Sequence, residues 1–311
     1  MKFVTFDTDT GAPRSGWLRE GCVVDMQAVS EGRLPGELLE LVRSHEDYME
    51  EVRRIDRRLG ADAESLLAHA GVYPVTDVAL LAPIPKPPSV RDFYAFEAHV
   101  IAARRRRGLD IVPEWYQFPV FYFSNHQAIV GPDAIIRRPA ATAALDYELE
   151  VACVIGKEGR DIGAEEADAY IFGYCIMNDW SARDLQREEV KVGLGPAKGK
   201  DFATSLGPYL VTKDELERHR AGGGHELEMA ARVNGIELSR GNLRDLHYTF
   251  GEMIARASAD ATLYPGDIIG SGTVGTGCIL ELGPDVHRWL EPGDVIELEV
   301  AGLGLLRNTI G

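Results

Sequence analysis

Between Leu145 and Ile155 the chain alternates between two kinds of position with a period of two, as a strand does. Tyr147, Leu149, Val151, Cys153 and Ile155 share one face, and it is apolar. Glu148, Glu150, Ala152 and Val154 share the other. Upstream, "MKFVTFDTDTGAPRSGWLREGCVVDM" has the look of short strands with Gly and Pro turns. "LPGELLELVRSHEDYMEEVRRIDRRLG" changes to helical spacing, with Leu38, Leu39, Leu41, Val42, Tyr48 and Val52 on one stripe. A short helix is expected over 64–69. Four prolines between Pro83 and Pro88 mark an extended segment. Beyond it short strands recur between turn signals, as in "YPGDIIGSGTVGTGC" and "LEPGDVIELEVAGLGLLRNTI". Helices are expected over 92–107, 182–190 and 243–258. The pattern predicts a mainly β protein with α elements, divided into a small α+β domain at 1–82 and a larger one at 83–311.

Charge narrows the partners. Of 311 residues, 33 are basic and 49 acidic, a formal net charge of −16, which argues against nucleic acid and anionic membranes as partners. An acidic substrate would need local positive charge from a metal, arginine or lysine. The four cysteines (Cys22, Cys153, Cys175, Cys278) form no CxxC and suit buried free thiols in a reducing compartment. The first residues are strand-like rather than signal-like, and no apolar run approaches about twenty residues. The expectation is a cytoplasmic protein.

Candidate chemistry starts with the paired glutamates. Two residues apart on a strand, their carboxylates lie roughly 7 Å from each other. Burial would raise their pKa values and each would repel the other, and a cation between them removes both penalties. The plain alternative is an amphipathic strand with a wet face. Asp92 and His99 are seven apart, two turns of the expected helix, and can share a face; Asp92 alone reads equally as an N-cap. Asp179 ends the strand-like run "IFGYCIMND" as either a helix cap or a ligand. Arg183 and Gln186, three apart on a helix, offer a cation and an amide to a carboxylate or carbonyl. Lys200 sits in a Gly-flanked loop, where lysines are usually solvated. "GSGTVGTGCILEL" lacks the order of a phosphate loop and reads as a tight β connection. It delivers Thr273 and, at the next strand, Glu281. The arginine run 104–107 suits a solvated helix C-terminus.

Together, Asp92-x6-His99, Glu148-x-Glu150, "MNDWSARDLQ", "KGKDFAT" and "SGTVG…LEL" resemble the fumarylacetoacetate hydrolase superfamily, from about Arg91 to Gly311. The resemblance implies a mixed β-sandwich roll, usually assembled as a homodimer. It implies a divalent metal held by Asp92, Glu148, Glu150 and Asp179, and an all-oxygen shell suits Mg²⁺, Ca²⁺ or Mn²⁺. It further implies that His99 and Glu281 activate water. Lys200, Arg183 and Gln186 would stabilise developing charge, and Tyr94, Tyr122 and Thr273 would touch a small dioxo acid. A further arginine of some hydrolases falls near position 108, where this chain has Gly108; Arg105 to Arg107 are the candidates to substitute.

Three readings follow as expectations. One is metal-dependent hydrolysis of a C–C bond in acylpyruvate-like or β-diketo acids. Another is decarboxylation or enol–keto isomerisation of a 2-oxo diacid, whose enzymes often lack the histidine. The last is a non-catalytic dimer on the same scaffold.

Overall fold

The alternation read at the paired glutamates is a strand, Leu149–Ile155, near the middle of a large sheet. This computed structural model describes residues 1–311 except 10, 61, 107 and 223. Twelve strands of the described residues join that sheet. Leu149–Ile155 runs antiparallel to Ile171–Asp179 on one side and to Ile268–Gly270 on the other. Val90–Phe93 follows Ile268–Gly270 in parallel, and Phe121–Ser124 pairs beyond it. On the far side Thr204–Thr212 adds to Ile171–Asp179, and the first strand of the chain, Lys2–Asp7, adds to Thr204–Thr212. One sheet therefore spans both parts of the sequence.

The fold is mainly β with α. A second sheet of five strands, including Glu228–Val233 and Val295–Val300, packs against the first. Leu149, Val151, Cys153 and Ile155 bury their side chains in the core between the sheets, with Met229, Leu298 and Val300. The opposite face is also closed. Ala152 and Val154 pack in a second core with Phe3, Trp17, Leu38 and Leu41 from the N-terminal segment. The wet face considered from the sequence is absent, because all seven residues of this strand are buried. The N-terminal helical stripe is two helices, Leu38–Arg43 and His45–Arg58, with Leu38, Leu41, Val42, Met49, Val52 and Ile55 buried. A short helix follows at Ala63–Leu67.

Two expected elements differ. Asp92 lies on the strand Val90–Phe93, and the helix begins only at Glu97 and runs to Arg105. Asp92 is thus neither an N-cap nor a helical neighbour of His99. Those four strand residues are buried on both faces, so no alternation marked them, and their sheet neighbours decided the conformation. Glu281 lies on a one-turn helix, Ile279–Leu282, instead of a strand. The expected helix over 243–258 is a 3-10 turn, Leu243–Asp245, followed by Phe250–Ser258, which starts at a capping box between Thr249 and Glu252. Arg107 lies outside the described residues. All four cysteines are buried and free. No described helix is long and apolar enough to cross a membrane.

Candidate active site

Sheet register brings the acidic residues together. Asp92 stands opposite Tyr122 on one side and Gly270 on the other, and Gly270 stands opposite Ala152. Residues directly across a sheet share a face, and Glu150, two before Ala152, shares it too. Glu150 pairs with Met177, and Asp179 lies two further along that strand. Carboxylate oxygens of Asp92, Glu148 and Glu150 come within 4.8 Å of one another. Asp179 joins them through shared partners. Tyr122 donates to Asp179 Oδ2 and contacts Asp92 Oδ2 at 3.2 Å. Lys200 Nζ contacts Asp179 Oδ2 at 2.6 Å and Glu148 Oε2 at 2.5 Å.

Lys200 is 4% exposed, not solvated as its loop predicted. Arg183, also buried, donates through Nη2 to Glu148 Oε1 at 2.8 Å, through Nη1 to Gln186 Oε1 at 3.2 Å, and through Nε to Asp146 Oδ2 at 2.8 Å. Thr273 Oγ1 donates to Glu150 Oε1 at 3.3 Å. Gly272 lets this loop turn sharply beside the sheet: its φ is +76°, and a Cβ there would come within 2.4 Å of Phe93 O.

The electrostatics are uneven. Glu148 holds two cations, and although burial alone would raise its pKa, Lys200 and Arg183 together bring it below the ordinary value. Burial, and after it the Asp179 charge, pushes Asp92 up to about 8. Burial and the Asp92 charge push Glu150 well above its usual range, and burial raises Asp179. Among the described residues, no hydrogen-bond donor reaches the buried atoms Asp92 Oδ1, Glu150 Oε2 and Asp179 Oδ1. Orphaned buried acceptors are costly. Two of them belong to the Asp92–Glu148–Glu150 group, and the third is on Asp179, which shares Tyr122 and Lys200 with that group; such a set fits a hard divalent cation, which takes oxygen ligands. Gly270 belongs to this fit, since a Cβ there would come within 2.4 Å of Asp92 Oδ1. Gly270→Ala is accordingly expected to weaken Mn²⁺ binding by about 10–100-fold, the range for disturbing a ligand's support. Titration calorimetry measures it, and unchanged affinity would detach Asp92 from the ion.

His99 lines the same cavity, and Glu281 holds it from outside the lining. Nδ1 of His99 lies 2.6 Å from Oε1 of Glu281, and the side chains are 5% and 4% exposed. The other Glu281 oxygen accepts the Thr276 N–H at 3.0 Å. The Tyr94 ring stands edge-on to His99 with centroids 5.3 Å apart. Asp92, Tyr94, His99, Tyr122, Glu148, Glu150, Arg183, Gln186, Lys200 and Thr273 all line one cavity of about 930 Å³. Its outer walls are mostly apolar, among them Leu109, Val120, Val190, Pro284 and Trp289.

Asp146 went unnoticed in the sequence. It is fully buried, and it joins the Arg183 guanidinium to the amides of Ile279 and Leu280. The available signal was its place two residues before Glu148, in the same alternation. Arg106, read from the sequence as a solvated helix end or as one of the candidates to substitute near Gly108, lines the cavity and donates to the carbonyls of Glu281 and Leu282.

Comparison with known proteins adds four findings. A family model described as fumarylacetoacetate (FAA) hydrolase C-terminal matches residues 89–311. A mitochondrial oxaloacetate tautomerase of Bos taurus is 32% identical over 293 residues, covering 93% of this chain and 84% of that protein. Among solved structures, a fumarylacetoacetate hydrolase from the psychrophile Exiguobacterium antarcticum superposes with a TM-score of 0.74 at 30% identity, covering 100% of this chain and 99% of that one. A maleylpyruvate hydrolase from Sphingobium sp. SYK-6, solved with manganese(II) and pyruvate, gives 0.73 at 24% identity, covering 100% and 98%.

Proposed function

Since this chain belongs to the fumarylacetoacetate hydrolase family, we propose that it is a divalent-metal-dependent hydrolase cleaving a C–C bond in acylpyruvate-like or β-diketo acids. One observation carries the reading: His99, held by the buried carboxylate of Glu281, lines the same cavity as Asp92, Glu148 and Glu150. Neither tautomerisation nor decarboxylation needs an activated water, and a histidine oriented by a carboxylate is suited to generate one.

Asp92, Glu148, Glu150 and Asp179 would hold the ion, with Mg²⁺, Mn²⁺ or Ca²⁺ matching their oxygens. When bound, it supplies Lewis acidity toward the oxygens of a 2-oxo acid. The rest falls to side chains. Glu281 accepts the Nδ1–H of His99, which leaves Nε2 as the base. Nε2 takes a proton from water as its oxygen adds to the distal carbonyl carbon. The adduct collapses by breaking the bond to the methylene carbon, releasing a carboxylic acid and an enolate. The proton on His99 then goes to that carbon. Lys200 has one N–H left beyond its two carboxylate partners. That N–H, with the Gln186 amide, steadies the negative charge as it forms.

The test is incubation of the Mn²⁺- or Mg²⁺-loaded protein with a panel of 2,4-dioxo acids, following loss of enol absorbance and identifying products by mass. Cleavage to a carboxylic acid plus pyruvate is the expected result. A panel left intact would overturn the assignment. A second reading, enol–keto tautomerisation of a 2-oxo diacid, draws support from the curated tautomerase relative. It would appear as accelerated ketonisation of enol-oxaloacetate with no C–C cleavage, and CO₂ release in the same assay reports decarboxylation.

A further inference from the structure

A four-residue helix such as Ile279–Leu282 is far too short to be stable alone. Glu281 can meet His99 at a fixed distance only if something outside the helix holds it. Both ends are held by charged side chains from distant parts of the chain. At the N-terminal end, Asp146 Oδ1 accepts the Ile279 N–H at 2.8 Å, and Oδ2 accepts the Leu280 N–H at 3.0 Å. At the C-terminal end, Arg106 Nε donates to Glu281 O at 3.1 Å and Nη2 to Leu282 O at 2.6 Å. Negative charge at the start and positive charge at the end also match the helix dipole.

The surroundings are shaped for both contacts. The guanidinium of Arg106 lies against Gly283, where a Cβ would come within 2.5 Å of Nη2. Arg106 immediately follows the helix that carries His99, so it ties together the two segments bearing the pair. Asp146 also receives Arg183 Nε at 2.8 Å, and Arg183 in turn holds Glu148. A single buried carboxylate thus touches the support of Glu281 and the support of the acidic hollow.

We propose that Asp146 and Arg106 are positioning residues for the His99–Glu281 pair, acting by clamping the two ends of the helix that bears Glu281. The inference rests on the hydrolase reading given above. Neither residue contacts the reacting atoms in this assignment. Their effect passes through the orientation of Glu281, hence through the Nδ1–H···Oε1 hydrogen bond and the aim of Nε2.

A double-mutant cycle tests this. Asp146→Asn and Arg106→Ala are each made alone and together with His99→Ala. Turnover is measured on the dioxo acid that the unaltered protein cleaves fastest, with saturating Mn²⁺ because Asp146 also supports Arg183. Displacing a catalytic group by about 1 Å costs about 10²-fold, and Asp146→Asn is expected to lower kcat by about that factor with little change in KM. Arg106→Ala, at an exposed position that folding tolerates, is expected to lower kcat roughly tenfold on the same ground. On the His99→Ala background neither change should add a further loss.

Proton NMR gives a readout independent of turnover. The short His99 Nδ1–H bond should show a resonance downfield of the amide envelope, absent in His99→Ala and broadened or lost in Asp146→Asn. Losses that persist in full on the His99→Ala background would overturn the proposal, as would an unchanged downfield proton in Asp146→Asn. A rise in KM at constant kcat for Arg106→Ala would make that residue a substrate anchor instead. If the unaltered protein cleaves no dioxo acid, the hydrolase reading fails, and the downfield proton still decides whether the clamp orients the pair.

Discussion

Alanine in place of His99 is expected to lower C–C hydrolysis by about 10²–10⁴-fold, the usual worth of a positioned general base. Divalent-ion affinity should stay close to that of the unaltered protein, because the histidine's hydrogen-bond partner is Glu281 and not one of the four carboxylates around the hollow. Alanine suits the helix Glu97–Arg105. The direct cost is a Glu281 carboxylate that, among the described residues, keeps the Thr276 N–H and the weak Cys278 thiol contact, about 1–3 kcal/mol for a weakened buried acceptor. Circular dichroism separates that loss from a loss of chemistry. Full cleavage of every dioxo acid by His99→Ala would remove the water-activating role. Loss of cleavage with ketonisation intact would show that the two activities use different groups of the same cavity.

Removing the ion should make the folded chain sensitive to alkali. Asp92 is pushed up to about 8, and Glu150 and Asp179 are raised too, burial being the first cause in each. In the unfolded chain these carboxyls return to values near 4. Between about pH 4 and pH 8 the ion-free folded state therefore binds more protons than the unfolded state, and stability falls as pH rises. Glu148 has the opposite sign, but its folded pKa is lowered, so its window lies below roughly pH 4.5. In chelator, the melting temperature should drop from about pH 5 to about pH 8. Mn²⁺ at 100 times its Kd would restore about 2.7 kcal/mol, with the larger rise on the alkaline side, where the ligands are already deprotonated. Calorimetric scans in chelator and in Mn²⁺ measure both trends. A melting temperature at pH 8 that ignores Mn²⁺ would mean that the acidic hollow holds no ion.

Local patterning made part of this site readable. Glu148 and Glu150 announced themselves because strand alternation is a period of two and acidic residues on a buried strand are rare. Lys200 gave no such sign: its burial comes from Glu148 and Asp179, whose sequence distance from the loop carries no local pattern. Asp92 was assigned to a helix because the residues after it do form one, and a four-residue strand buried on both faces leaves no trace in hydrophobic periodicity. The helix around Glu281 was unreadable for a similar reason, since the groups that stabilise it, Asp146 and Arg106, come from far along the chain. The dry second face of Leu149–Ile155 follows from the N-terminal helices that cover it, and nothing within the strand itself encodes them.

The walls of the cavity differ in how freely they can change. From Gly270 to Gly283 the chain is committed: Gly270 makes room for a carboxylate, Thr273 binds Glu150, and the turn of helix beyond is fastened at both ends. Leu109, Val120 and Val190 line the outer part and are 48%, 39% and 40% exposed, offering side-chain bulk and no polar atoms. Substitutions there can reshape the space for an acyl group without touching the reaction machinery, which is how surface segments on a rigid frame usually diversify. Natural drift and laboratory selection for new acyl preferences would accordingly collect on those outer walls and spare the segment that carries the chemistry.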